Sequence, residues 1–88
     1  MTYLRTVGFK REFSRLPADV KERALNKFDL FTMDWKHPSL NIHKVEGASW
    51  HGRQVFELYV TQKYRVLFIV DEDVVVSFSI GPHSIVSQ

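Results

Sequence analysis

Three short segments in the second half of the chain constrain the fold most strongly: Val55–Thr61, Tyr64–Val70 and Val74–Ile80. In each segment apolar residues occupy every second position, which is the side-chain period of a β-strand. These positions are Phe56, Leu58, Val60, Tyr64, Val66, Phe68, Val70, Val74, Val76, Phe78 and Ile80. We therefore predict three strands of one sheet that share a buried apolar face.

The alternate positions of the same strands form a mixed face that holds an acid, a phenol, a guanidinium and two hydroxyls. Its members are Val55, Glu57, Tyr59, Thr61, Arg65, Leu67, Ile69, Val75, Ser77 and Ser79. Glu57 and Arg65 share this face only if the hairpin between them has an odd number of loop residues, such as Gln62–Tyr64. A chemical site is expected on this face.

The acidic segment Asp71-Glu72-Asp73 marks the last turn of the predicted sheet. A three-residue loop at this turn predicts three cross-strand pairs, which are Val70 with Val74, Leu67 with Ser77 and Arg65 with Ser79.

The residues before Val55 predict two helices and two further extended segments. Thr2–Val7 is expected to be a strand ended by Gly8, and Phe9–Leu16 and Pro17–Thr32 show the apolar spacing of amphipathic helices. Leu40–Glu46 is expected to be extended up to Gly47, and Ala48–Arg53 is expected to be a longer loop. The order predicts one α+β domain, residues 1–88, with two N-terminal helices packed on one face of a small antiparallel β-sheet and the other face open.

Composition limits the class of protein. Of the 88 residues, 44% are hydrophobic and 14% aromatic, which excludes a disordered chain. The chain has no cysteine and no N-terminal apolar signal core, so a reducing cytoplasm is the expected location. No histidine pair has helical ligand spacing, so neither a metal nor another cofactor is predicted.

Positive charge is concentrated near the start of the chain. The net charge is only +2, but Arg5, Lys10, Arg11 and Arg15 stand against the single acid Glu12 in this stretch. Such an asymmetry fits contact with a polyanion, and it fits a solvated charged surface equally well.

Several motifs in the chain, taken in order, resemble those of the RelE/ParE toxin superfamily. They are His37-Pro38-Ser39-Leu40, His43-Lys44-Val45-Glu46-Gly47, Phe56-Glu57-Leu58-Tyr59-Val60, Tyr64-Arg65-Val66-Leu67-Phe68 and Ile80-Gly81-Pro82-His83. The resemblance covers essentially the whole chain and implies the toxin of a toxin–antitoxin pair. In the RelE-like branch it implies cleavage of messenger RNA on the ribosome without a metal. It also implies a toxin that is monomeric alone and oligomeric with its antitoxin.

The resemblance also implies roles for particular residues. Arg65 matches a strand arginine that contacts the scissile phosphate, His83 matches a C-terminal histidine used as acid or base, and Lys44 lies where members carry basic site residues. Glu57 or Glu46 is the candidate for a carboxylate that some members place near Ser39. The expected RNA-binding residues are Arg53, Tyr59, His43, Lys63, Lys10 and Arg11.

Besides the missing carboxylate near Ser39, the chain departs from the family pattern at two places, and these departures keep alternatives open. Tyr59 stands where many active members have a second cation, and no tyrosine follows His83 in Ser84-Ile85-Val86-Ser87-Gln88. The alternatives are a ParE-like inhibitor of DNA gyrase without catalysis, and a degraded member that retains only antitoxin binding.

Structural roles are the alternative for individual side chains. Arg65 pairs with Glu57 across the sheet in that interpretation, and His83 caps the last strand. His43 is expected to be partly buried with Lys44 outward, and Trp50 is expected to pack under the rim of the sheet rather than stack on a base.

Overall fold

The computed structural model describes residues 1–85; Val86, Ser87 and Gln88, part of the tail in which the sequence lacks a tyrosine, lie outside the described residues. The elements in chain order are β1 (Thr2–Arg5), α1 (Val7–Ser14), α2 (Ala18–Phe31), a 3₁₀ turn (Pro38–Leu40), β2 (His43–Trp50), β3 (Arg53–Tyr59), β4 (Tyr64–Asp71), β5 (Val74–Pro82) and a 3₁₀ turn (His83–Ile85). The strands form one sheet in the order β1-β5-β4-β3-β2. The predicted α+β class is confirmed. None of the helices within residues 1–85 is long and apolar enough to cross a membrane.

Both helices pack on one face of the sheet, which we call the helix face. The apolar arc of α2 (Val20, Ala24, Phe28 and Phe31) is buried. It packs with Phe9 and Leu16 on the alternate residues of the strands, including Leu58, Val66 and Phe68. Phe31 and Phe68 make an edge-to-face contact with ring centroids 4.9 Å apart. The predicted buried face is therefore confirmed for β3 and β4.

The first helix begins earlier than predicted. Thr6 is its N-cap, and the Thr6 hydroxyl oxygen accepts a hydrogen bond from the Phe9 backbone N–H at 3.0 Å. The strand β1 consequently ends at Arg5, and Gly8 lies inside α1 instead of ending a strand. The second helix agrees with the prediction to within one residue at each end.

The sheet is mostly antiparallel, as predicted, and one edge of it is parallel. β1 pairs with β5 in parallel, with Thr2 opposite Val74 and Arg5 opposite Ser77. Because β1 is short, it leaves the second half of β5 without a partner strand on that side. The helix α1 covers this part: the Glu12 carboxylate accepts hydrogen bonds from the Ile80 backbone N–H at 3.4 Å and the Ser79 hydroxyl at 3.1 Å.

The predicted pairing of β4 with β5 is wrong. The turn has two residues, Glu72 and Asp73, with Glu72 at a positive φ of 53°, so Asp71 pairs with Val74. A bulge at Phe78 then shifts the register, and Leu67 lies opposite Ser79 and Arg65 opposite Gly81. Before the bulge the faces are the reverse of the prediction. Val75 belongs to the core on the helix face, whereas Val76 and Phe78 pack on the mixed face.

The segment Ala48–Arg53 is part of a hairpin and not a longer loop. β2 continues to Trp50, and the turn consists of His51 and Gly52, both at positive φ (50° and 75°), as in a type I′ turn. The mixed face is therefore not fully open, because Trp50 stacks on Phe78 with ring centroids 4.5 Å apart and Val55, Leu67 and Ile69 are buried beside them. The predicted packing of Trp50 is confirmed.

Candidate functional site

The predicted site residues of the mixed face lie at the end of the sheet where β3 passes into β4. Tyr59 pairs with Arg65 and Glu57 with Leu67, so Glu57 and Arg65 share one face, as predicted. The hairpin closes through Val60 and Tyr64, whose backbone N–H and carbonyl are hydrogen-bonded at 3.0 Å. Three residues, Thr61, Gln62 and Lys63, form the tip of the loop, which is the odd number that a shared face requires.

Arg65 is buried at this end of the face, with 4% of its surface exposed. Its Nη1 group donates hydrogen bonds to two consecutive loop carbonyls, those of Thr61 (2.9 Å) and Gln62. The ring of Tyr59 covers the guanidinium, with the central carbon 3.6 Å from the ring centroid. The Arg65 side chain therefore holds the loop and carries a positive charge beneath Tyr59.

Glu57 is the charge partner of Arg65. Its Oε2 lies 3.9 Å from Arg65 Nε, and 8% of the residue is exposed. Within residues 1–85 neither of these two atoms has a hydrogen-bond partner. The two charges therefore compensate each other by proximity in a site that excludes most water.

His43 joins this cluster from the neighbouring strand β2. It pairs with Glu57, and its ring lies 5.7 Å from the Tyr59 ring between centroids. The prediction that His43 is partly buried is wrong, because His43 is exposed. Lys44 is also exposed, but it pairs with Phe56 and lies on the helix face, so the sheet separates it from Arg65.

His83 follows the end of β5 at the same end of the sheet. Gly81 lies opposite Arg65, and the His83 backbone N–H donates to the carbonyl of Lys63, the loop residue next to those that Arg65 holds. His83 and Lys63 are both exposed. Three consecutive loop carbonyls are thus bound by Arg65 and His83, which links the positions of these two residues.

The remaining predicted residues lie outside this cluster. Arg53 forms an exposed ion pair with Asp71 at 2.7 Å, near the opposite end of β3. Lys10 and Arg11 are exposed on α1, which packs along β5 at the far side of the sheet from His43. The part of the chain that the structure describes has no group of three or more His, Asp or Glu side chains arranged to hold a metal ion.

Solved structures with this fold are numerous, although sequence comparisons find no relative. No protein-family model and no curated protein matches the chain. A RelB–RelE antitoxin–toxin complex from Methanococcus jannaschii has a chain of 13% identity and a TM-score of 0.76, with 96% of this chain and 94% of that chain covered. The RelE–RelB complex from Pyrococcus horikoshii gives 17% identity, a TM-score of 0.70 and 92% of each chain covered.

A third structure widens the comparison to another toxin type. The DinJ–YafQ toxin–antitoxin complex of E. coli has a chain of 12% identity and a TM-score of 0.62, with 94% of this chain and 92% of that chain covered. Identities this low support a statement about the fold alone. The two helices on one face of a mostly antiparallel five-stranded sheet give this chain the RelE-like fold seen in these chains from toxin–antitoxin complexes.

Proposed function

We propose that the chain is the toxin of a toxin–antitoxin pair and a ribosome-dependent endoribonuclease of the cytoplasm. The observation that carries this proposal is the cluster on the mixed face, where exposed His43 and half-buried Tyr59 lie beside the buried guanidinium of Arg65, and where β5 ends at His83. Two imidazoles and a cation supply the acid, the base and the positive charge that cleavage of an RNA strand requires.

The proposed reaction uses the 2′-hydroxyl of the RNA as the nucleophile. One imidazole accepts the 2′-hydroxyl proton while the 2′-oxygen forms a bond to phosphorus. The bond from phosphorus to the 5′-oxygen breaks, and the other imidazole donates a proton to that leaving oxygen. The products are a 2′,3′-cyclic phosphate and a 5′-hydroxyl end. Either histidine can take either role, because a coupled acid–base pair exchanges them.

His43 lies on β2 and His83 follows β5, and the proposed reaction brings both imidazoles to one phosphate. His43 lies in register with Glu57, Leu67 and Ser79, so β2 and β5 are about 14 Å apart at that row by the usual strand spacing, and His83 lies four residues beyond Ser79. His43 leans inward to Tyr59, which shortens this span from one side. The proposal therefore requires a phosphate bound on the mixed face between the two strands, with the side chain of His83 also turned toward it.

Cations stabilise the charge that develops on the phosphorane. Exposed Lys63, whose ammonium group lies 5.7 Å from the Tyr64 ring centroid, is proposed to turn to the phosphate, and Arg65 adds positive charge from below. Glu57 is a positioning residue in this proposal, because it compensates the charge of Arg65. Lys44 lies on the other face and takes no part in the acid–base step.

The other predicted residues are proposed to contact the message, ribosomal RNA and the antitoxin. Half-buried Tyr59 offers an aromatic ring for an RNA base. Lys10 and Arg11 on α1 are proposed to contact ribosomal RNA, and Arg53 the backbone of the message. The similarity to chains from toxin–antitoxin complexes supports a cognate antitoxin as the protein partner.

Induction without the antitoxin, followed by mapping of messenger RNA ends and by cleavage assays on programmed ribosomes, tests this function. His43→Ala and His83→Ala are each expected to lower the cleavage rate by about 100-fold or more, the usual contribution of a general acid or base. His51→Asn is the matched control, because His51 lies in the β2–β3 turn at positive φ, which asparagine tolerates.

Two other outcomes would contradict the proposal. Growth arrest with intact messages and blocked DNA supercoiling would indicate a ParE-like gyrase inhibitor. Absence of toxicity in a folded protein that still binds its antitoxin would indicate a chain without catalytic function.

A further inference from the structure

A groove lies on the helix face, on the other side of the sheet from the histidine cluster. Its volume is about 390 Å³, within the range of small-ligand sites. Trp35 and Phe56 contribute aromatic rings whose centroids are 5.4 Å apart, and Lys36, His37 and Lys44 also line it. We call it the Trp35 groove.

The groove is positively charged. None of the described residues that line it is acidic, and Lys36 and Lys44 are exposed and form no ion pair within residues 1–85. His37 adds a hydrogen-bond donor. Its Nδ1 accepts the Ser39 backbone N–H at 3.2 Å, so Nε2 carries the proton. Aromatic rings beside unpaired cations are the features that bind single-stranded nucleic acid, by base stacking and by contacts to phosphate.

The position of the groove connects it to the histidine cluster. β2 is the outer strand of the sheet on this side, and its consecutive residues His43 and Lys44 point to opposite faces. An RNA strand that leaves His43 and passes over this edge meets Lys44 next, and then Trp35.

We propose that the Trp35 groove binds a nucleotide of single-stranded RNA that flanks the cleaved bond, an inference that rests on the proposed function. The base stacks against Trp35 and Phe56, and the adjoining phosphates contact Lys36 and Lys44. Lys36 Nζ now lies 5.3 Å from the Trp35 ring centroid, and stacking of a base moves this ammonium group toward the phosphate. Acidic side chains of a peptide would use the lysines but would not stack on the exposed surface of the aromatic rings, so RNA accounts for more of the groove.

Tryptophan fluorescence measures binding to this groove directly. In Trp50→Phe, Trp35 is the remaining tryptophan, and phenylalanine preserves the ring contact with Phe78. The probe is a 2′-O-methyl RNA hexanucleotide, which lacks the nucleophile and stays intact. We expect the probe to quench Trp35 emission saturably.

Salt dependence identifies the phosphate contacts. In the Trp50→Phe protein, we measure the binding constant K of the probe at several salt concentrations. Lys36→Ala combined with Lys44→Ala is expected to make the negative slope of log K against log salt concentration shallower by about 1.4, because two phosphate contacts to a single strand are lost. The matched control is Arg23→Ala with Lys27→Ala on α2, which removes the same charge away from the groove and should leave the slope unchanged.

The outcomes separate this proposal from the proposed function. Failure of the probe to quench Trp35, or an equal slope in the two double variants, overturns the groove as an RNA site even if messages are cleaved on ribosomes. Quenching by the purified antitoxin and not by RNA also overturns it and assigns the groove to that protein. Specific quenching by RNA without ribosomal cleavage upholds the groove and overturns the nuclease.

Discussion

Tyr59 and Arg65 are best understood together at the scale of single residues. Tyr59 stands where many proteins with the resembling motifs have a second cation. Two neighbouring cations repel each other and remain hydrated, whereas an aromatic ring covers a guanidinium favourably. The ring of Tyr59 lies 3.6 Å over Arg65, and Arg65 is 4% exposed. The ring of Tyr59 thus shields from solvent the arginine that binds the loop carbonyls.

The charge of Arg65 makes Glu57 important for stability. Glu57→Gln removes the compensating charge, and we expect a loss of about 3–5 kcal/mol in the free energy of unfolding, because an unpaired buried charge remains. Asp71→Asn is the matched control. It breaks the exposed pair with Arg53 and should cost about 0–1 kcal/mol. Urea denaturation of both variants measures the difference, and equal losses would contradict a buried pair.

The residues of the cluster were more predictable than their placement. Strand alternation correctly placed Glu57, Tyr59 and Arg65 on one face. The faces of His43 and Lys44 depend on the pairing of β2 with β3, and this pairing depends on the turn at His51-Gly52. The glycine at that turn was the available signal. The burial of Arg65 depends on the loop carbonyls, and no sequence pattern indicates these contacts.

At the scale of elements, α1 completes the sheet where a strand is missing. Past the end of β1, the edge of β5 would present a backbone N–H group without a partner, and unsatisfied buried donors are costly. Glu12 provides the acceptor from a helix. Its carboxylate binds the N–H of Ile80, a residue 1% exposed, and the hydroxyl of Ser79. The single acid in the basic N-terminal stretch therefore has a structural role.

This role predicts an effect that the sequence alone does not suggest. Glu12→Ala leaves the Ile80 N–H and the Ser79 hydroxyl without this acceptor, and we expect a loss of about 1–3 kcal/mol in stability. Glu22→Ala, on the exposed face of α2, makes the same change in a helix and should stay within about 0.5 kcal/mol of the unchanged protein. Thermal unfolding followed by circular dichroism distinguishes the two. A stable Glu12→Ala protein would show that another group satisfies the edge of β5.

The error in β5 has a clear origin. Val74, Val75 and Val76 are consecutive valines, so apolar alternation does not indicate which of them faces the helices. The two-residue turn at Glu72 and the bulge at Phe78 decide the question in favour of Val75. The turn is hard to recognise in the sequence, because glutamate is an unusual residue at positive φ. β3 and β4 lack this ambiguity, and their faces were predicted correctly.

At the scale of the whole molecule, two apolar clusters lie on opposite faces of one sheet. The larger lies under the helices and includes Val66 and Phe68, and the smaller lies on the mixed face and includes Leu67 and Ile69. These four residues are consecutive in β4. If one cluster loses its packing, β4 loses the contacts on one of its faces and cannot remain ordered in the other cluster. We therefore expect the chain to unfold as one unit, as the prediction of a single domain requires.

The two tryptophans test this cooperativity, because each reports on one cluster. Trp35 packs against Phe56 and Phe68 on the helix face, and Trp50 stacks on Phe78 on the mixed face. In Trp35→Phe and in Trp50→Phe, the remaining tryptophan should change its fluorescence at the same denaturant concentration as the circular dichroism of that variant. The comparison is made within one variant, so a loss of stability caused by the substitution does not affect it. A fluorescence transition of Trp50 at a lower denaturant concentration would mean that the β2–β3 hairpin opens separately. It would contradict the cooperative unfolding that we expect from the shared strand β4.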